Sequence, residues 1–211
     1  MNIKREQLKL YAVTDRSWLG QETLYDQVEK ALKGGATLVQ LREKQLAEDE
    51  FEKEGRELLE LCHRYQVPLI INDNVALAAR INADGVHIGQ SDMELENARK
   101  MLGADKIIGV TAKTVEQAKR AEAAGADYLG SGAVFGSSTK TDAKPMEFSL
   151  FCEICESVQI PVVAIGGINA DNVPGLKGSR LAGVAVVSGI FACRDIEAGT
   201  RALLAKVETI L

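Results

Sequence analysis

The chain has 211 residues, with 25 Lys and Arg against 30 Asp and Glu, for a formal net charge of −5. That length points to one domain, and 46% hydrophobic with 26% charged residues argues against intrinsic disorder. Mild acidity without a long basic run argues against a nucleic-acid binder, no apolar stretch reaches membrane-spanning length, and residues 1–7 lack the apolar core of a secretory signal, so a cytoplasmic protein handling small anionic metabolites is expected.

In chain order, a β-branched run predicts a first strand over 10–15, and apolar residues at three- and four-residue spacing predict a helix over 24–32. The second strand is expected over 38–43, where period-two alternation sets Gln40, Arg42 and Lys44 on one face and Leu41 on the other. Two cations and an amide on one face need an anionic partner if they are covered; a polyphosphate fits, and inward ion pairs with neighbouring carboxylates are the plainer alternative. A helix over 49–65 follows, then a third strand over 69–73 opened by Pro68 and ending in Asn72 and Asp73.

The fourth strand, 86–89, carries His87 between Val86 and Ile88 and leads to Asp92. His87 reads as a satisfied interior histidine rather than a ligand or base. Asp73 and Asp92 end adjacent strands and together suit a hard cation such as Mg²⁺ that also takes phosphate oxygens, although either alone would serve as a helix N-cap. A helix over 95–102, a strand over 107–112, a helix over 115–124 and a strand over 128–134 come next. The last of these leads into a loop over 135–142 with hydroxyls and a lysine, read as a substrate-binding loop.

Phe151, Ile154, Cys155 and Val158 have helical spacing, so the C-x-x-C of Cys152 and Cys155 reads as part of a core-facing helix rather than a redox or zinc motif; with Cys62 and Cys193 these are expected as free thiols. A strand over 162–165, opened by Pro161, ends in Gly166 and Gly167; a strand over 184–188 and a helix over 197–210 complete the pattern.

A weak repeat supports this reading. Segments 34–40, 82–88, 124–130 and 181–187 each present a helix-terminating residue, a tight turn and a buried strand, and they recur with every second strand. Strands alternating with helices throughout predict an α/β fold, a (β/α)₈ TIM barrel forming a single domain over 1–211. A doubly wound open sheet is the alternative, but no G-x-G-x-x-G follows the first strand. Active sites of such barrels lie at the C-terminal strand ends, and phosphate sites often follow the seventh and eighth strands, where a glycine without Cβ lets backbone amides come close. One anion site with cations and a metal, and another of amides and hydroxyls, imply two phosphorylated substrates or one phosphorylated at both ends.

Segments 11–15, 40–44, 71–73, 85–92, 137–140, 165–168 and 187–191, taken in order, resemble the thiamine-phosphate synthase family over nearly the whole chain. The resemblance implies the (β/α)₈ barrel and a reaction joining hydroxymethylpyrimidine pyrophosphate to hydroxyethylthiazole phosphate, or its carboxylated form, with release of pyrophosphate. It assigns Gln40, Leu41, Arg42, Glu43, Lys44, Asn72, Thr111 and Lys140 to the pyrimidine pyrophosphate, with Arg42, Lys44 and Lys140 as the catalytic cations. It assigns Ser137, Ser138, Thr139, Gly167, Val187 and Ser188 to the thiazole phosphate, and Asp73 and Asp92 to Mg²⁺. Thr111 keeps the hydroxyl of a position where the family usually has Ser, whereas Lys113 replaces a usual His, Ala133 a common Pro, and Gly136-Ser137 a usual Pro-Thr. The partners implied are two small phosphorylated substrates, with no nucleic acid and no membrane; a homo-oligomer is left open. A thiazole tautomerase-like enzyme and a non-catalytic thiamine-phosphate sensor on the same barrel are the alternatives.

Overall fold

Parallel strands covered on both faces need short apolar runs, and the chain supplies eight of them: β1 (Leu10–Val13), β2 (Leu38–Leu41), β3 (Leu69–Asn72), β4 (Gly85–Ile88), β5 (Ile107–Thr111), β6 (Tyr128–Gly132), β7 (Val162–Ile165) and β8 (Gly183–Val186). In the computed structural model, which describes residues 2–136 and 145–211, they pair in parallel in chain order. The barrel closes through Leu10 opposite Val184 and Ala12 opposite Val186, so the open-sheet alternative does not hold.

Between the strands run α1 (Leu24–Lys33), α2 (Glu48–Arg64), α3 (Val75–Arg80), α4 (Leu95–Leu102), α5 (Val115–Ala123) and α6 (Phe148–Ser157), and α7 (Ser188–Phe191) and α8 (Ile196–Glu208) follow β8. Their starts are set by side-chain oxygens: Thr23, Asn74, Thr114 and Asp195 each accept the amide three residues on, satisfying a donor that the helix cannot. The short α3 was not read from the sequence, because six residues carry less than two turns of periodicity.

The repeat has a structural basis. Gly35, Asn82 and Gly125 take left-handed backbone at φ 100°, 56° and 91°, and the next amide returns to the helix in each case, Ala36 to Ala31, Ala83 to Ala78 and Ala126 to Ala121. The residue after that then caps the foot of the neighbouring strand. Thr37 Oγ1 accepts the Leu10 amide, Asp84 Oδ2 that of Leu69, and Asp127 Oδ2 that of Ile108. In the last copy the left-handed residue is Arg180, one position before the expected segment.

Asp127 is the most buried of these caps, its side chain 3% exposed and paired with Arg99 at 2.8 Å. Asp127→Ala strands the Ile108 amide and leaves the Arg99 guanidinium with carbonyl partners but no carboxylate, and is expected to lower the unfolding free energy by about 3 kcal/mol in urea denaturation. A loss below about 1 kcal/mol would show that the cap is dispensable.

Two apolar layers result. One lies between strands and helices and includes Leu41, Cys62, Val86, Ile88 and Cys155; the other lies inside the barrel and includes Leu8, Tyr11, Leu38, Ile70, Ile107, Tyr128 and Val163. Burial pushes the Cys155 thiol up to about 12, in keeping with the core-facing reading of the C-x-x-C. Ile3, before a 3-10 turn over Arg5–Leu8, and Leu8, its last residue, join the inner layer, so the open cavity lies at the opposite end. Among the described residues no helix is long and apolar enough to cross a membrane.

Candidate active site

A cavity of about 570 Å³ opens at the C-terminal ends of the strands. Alternation places Gln40, Arg42 and Lys44 on it from the β2 side, as expected, with Asn72 and Asp73 after β3, His87 and Asp92 from β4 and beyond, and Thr111 from β5. Gly167, Val187 and Ser188 line it from the β7 and β8 side. The same alternation turns the side chains of Leu41 and Glu43 elsewhere. Leu41 packs in the outer layer, and Glu43 pairs with Arg16 at 2.7 Å, where burial lifts its carboxyl above the ordinary value against the pull of that guanidinium. Ser137, Ser138, Thr139 and Lys140, and with them most of the expected substrate loop, lie outside the described residues.

The cations differ in how they are held. Arg42 contacts Asp15 at 3.2 Å, both side chains being only 11% and 13% exposed, and its amide donates to Thr14 Oγ1. Asp15 in turn accepts the Ser17 amide and caps a 3-10 turn over Arg16–Trp18, so one carboxylate fixes both the turn and the guanidinium. Lys44 and Lys113 line the cavity without a carboxylate within ion-pair distance among the described residues. Asp15 was not singled out as a site residue; its signals were its place at the end of the expected first strand and within segment 11–15 of the resemblance.

The carboxylates sit on constrained backbone. Asp73 takes φ 61°, an uncommon value outside glycine that Asp and Asn tolerate best, and its amide donates to the His87 carbonyl. Asp92 Oδ2 accepts the Gly89 amide at 2.6 Å, which folds the loop after β4 so that both acids line one cavity. Among the described residues no third His, Cys, Asp or Glu joins them as a ligand cluster.

At the far side, two expectations meet local geometry. Gly166 and Gly167 have φ 104° and 64°. A Cβ on Gly167 would lie 2.6 Å from the Phe135 carbonyl oxygen, so packing against the loop after β6 already demands glycine there, whatever approaches from the cavity. Ser188 starts α7 instead of ending the strand expected over 184–188, because Val187 leaves extended geometry at φ −107° and ψ −85°.

Under the cavity floor lies a polar chain. Gln40 Nε2 donates to the Tyr11 hydroxyl at 2.6 Å, and the Tyr11 and Tyr128 hydroxyls are 2.9 Å apart. Tyr128 also meets His87 Nδ1 at 3.0 Å, and His87 Nε2 meets Thr111 Oγ1 at 3.0 Å. His87 is thus the satisfied interior histidine expected from its alternation. Burial raises both phenols well above their ordinary range, so both keep their protons.

A closed parallel barrel with cations and carboxylates gathered at its C-terminal mouth defines a (β/α)₈-barrel enzyme. The family described as thiamine monophosphate synthase matches residues 10–190, and the chain belongs to it. Thiamine-phosphate synthase of Clostridium acetobutylicum is 47% identical over 95% of both chains, and thiamine-phosphate synthase 2 of Streptococcus pneumoniae is 46% identical over 99% of this chain and all of its own. The solved thiamine phosphate pyrophosphorylase from Pyrococcus furiosus superposes with a TM-score of 0.90 at 38% identity, covering 98% of each chain. The activity is accordingly that of a thiamine-phosphate synthase, a transferase of thiamine biosynthesis.

Proposed function

We propose that this cavity joins hydroxymethylpyrimidine pyrophosphate to hydroxyethylthiazole phosphate, or its carboxylated form, with the pyrophosphate held on the β2 to β4 side and the thiazole phosphate on the β7 and β8 side. The observation that carries this reading is the convergence of Arg42, Lys44, Asp73 and Asp92 on one cavity whose opposite wall is glycine and hydroxyl. Gln40, Asn72 and Thr111 contact the pyrimidine pyrophosphate, whereas Gly167, Val187 and Ser188 contact the thiazole phosphate. By the family resemblance, Lys140 is assigned to the pyrimidine pyrophosphate, and Ser137, Ser138 and Thr139 to the thiazole phosphate.

Asp73 and Asp92 fit Mg²⁺, which takes one or two carboxylates and fills its remaining positions with water and phosphate oxygens. When bound there, Mg²⁺ supplies positive charge to the departing pyrophosphate. The residues of the chain do the rest. The bond between the pyrimidine CH₂ and the pyrophosphate oxygen breaks with its electron pair going to the pyrophosphate, the 4-amino group donates through the ring to the electron-poor CH₂, and Arg42, Lys44 and Lys140 meet the growing negative charge. The thiazole nitrogen then bonds to that CH₂, and where the carboxylated thiazole is used its carboxylate leaves as CO₂. The nitrogen carries no proton, so no general base is needed, and His87 can remain committed to Tyr128 and Thr111.

The test is product formation from both substrates with and without Mg²⁺. Thiamine phosphate and pyrophosphate in equal amounts, only with the metal, are expected. Thiazole isomerisation without pyrophosphate release would favour a tautomerase, and tight product binding without turnover a sensor.

A further inference from the structure

The chain from Gln40 to Thr111 has a direction, and the direction decides what a ligand meets. Tyr11 accepts from Gln40 Nε2, which leaves its own hydrogen available for the 2.9 Å contact with the Tyr128 hydroxyl, and one order of donors then runs along the whole chain. In that order Tyr128 would give its hydrogen to His87 Nδ1, 3.0 Å away, and the imidazole would be the neutral tautomer protonated at Nε2. Nε2–H would then donate to Thr111 Oγ1 across 3.0 Å, leaving the threonine hydrogen for the cavity. At the other end Gln40 has turned its nitrogen to Tyr11, and its carbonyl oxygen, which has no protein partner among the described residues and is not sealed from solvent, is the group offered to a ligand.

We propose that Tyr128 is a positioning residue that makes Gln40 an acceptor and Thr111 a donor toward the cavity, and so sets a preference for a pyrimidine with an amino group at C4 over one with an oxo group. This rests on the substrate reading above. The amino group donates to Gln40 Oε1, and a ring nitrogen accepts from Thr111. A 4-oxo ring instead sets a carbonyl against Oε1 and a ring N–H in place of an acceptor. Reversing Gln40 alone cannot rescue it, because every hydrogen in the chain would have to reverse together.

The surroundings are built for this arrangement. A Cβ on Gly109 would lie 2.1 Å from Tyr128 Cζ, and one on Gly130 would lie 3.1 Å from His87 Cε1, so glycines on β5 and β6 make room for the two rings. Tyr11 and Tyr128 meet edge to face with centroids 5.9 Å apart, and the Tyr128 and His87 centroids are 5.5 Å apart. Tyr128→Phe keeps this packing and removes only the hydroxyl that joins the two halves. Gln40 and Thr111 can then each turn independently.

The experiment compares kcat/KM for the pyrimidine pyrophosphate and its 4-oxo analogue in the wild type, Tyr128→Phe and Tyr11→Phe, with thermal melts alongside. Nitrogen-15 spectra of the imidazoles accompany it, which is practical because the chain has 2 histidines. The expected wild-type preference for the amino substrate is on the order of 10³-fold, falling to about tenfold in either variant. His87 is expected as the Nε2–H tautomer in the wild type and to lose that preference in Tyr128→Phe. Equal losses for both pyrimidines in folded variants, or an Nδ1–H tautomer in the wild type, would overturn the proposal. If the wild type used neither pyrimidine, the substrate reading would fail, while the nitrogen spectra would still decide the direction of the chain.

Discussion

Asp73→Asn and Asp92→Asn should each lower turnover by about 10²-fold or more and remove most of its dependence on Mg²⁺, because charge stabilisation worth several kcal/mol is lost. The substitutions suit the local geometry. Asn tolerates the left-handed backbone that Asp73 adopts at φ 61°, and an Asn at 92 keeps an oxygen for the Gly89 amide. A melting temperature close to the wild type should therefore accompany the kinetic loss. Unaltered metal dependence in both variants would remove them as the metal-holding pair.

Arg42→Ala should lower kcat by roughly 10²- to 10³-fold, the usual effect of deleting one preorganised donor to developing charge, while KM for the thiazole phosphate changes less than about twofold. Arg42 is held by Asp15 at 3.2 Å in a nearly solvent-free pair, so its guanidinium is already oriented before substrate arrives. Arg42→Lys retains charge without the planar fork and should recover only part of the activity. Intact turnover with a raised thiazole KM would exchange the two anion sites.

The strand positions were legible because strands buried on both faces leave unmistakable apolar runs, and the turns were legible where Gly35, Asn82 and Gly125 supply left-handed backbone. Strand ends were harder to read. The first strand was expected to reach residue 15, but the ladder ends at Val13, and Thr14 and Asp15, the latter still extended, hold Arg42 with their side chains. Alternation likewise brought Gln40, Arg42 and Lys44 to the cavity, whereas membership of the same motif could not show that Leu41 and Glu43 face away from it.

The polar floor was beyond sequence reading for a different reason. Tyr11 and Tyr128 look like ordinary aromatic core residues within their own strands. Their hydroxyls gain meaning only when β1, β2, β4, β5 and β6 turn Tyr11, Gln40, His87, Thr111 and Tyr128 toward one axis. Gly167 shows the opposite ambiguity. Its positive φ and the Phe135 carbonyl require glycine for the fold, so a substitution there mixes stability with binding, and Ser188→Ala is the cleaner probe of the second anion site.

The most direct test of the two-site account is calorimetric titration of inorganic pyrophosphate into the wild-type protein, with Mg²⁺ and with chelator, followed by competition with each substrate. The account predicts binding that needs Mg²⁺, is displaced by the pyrimidine pyrophosphate and is unaffected by the thiazole phosphate. Metal-independent binding displaced by the thiazole phosphate would contradict it.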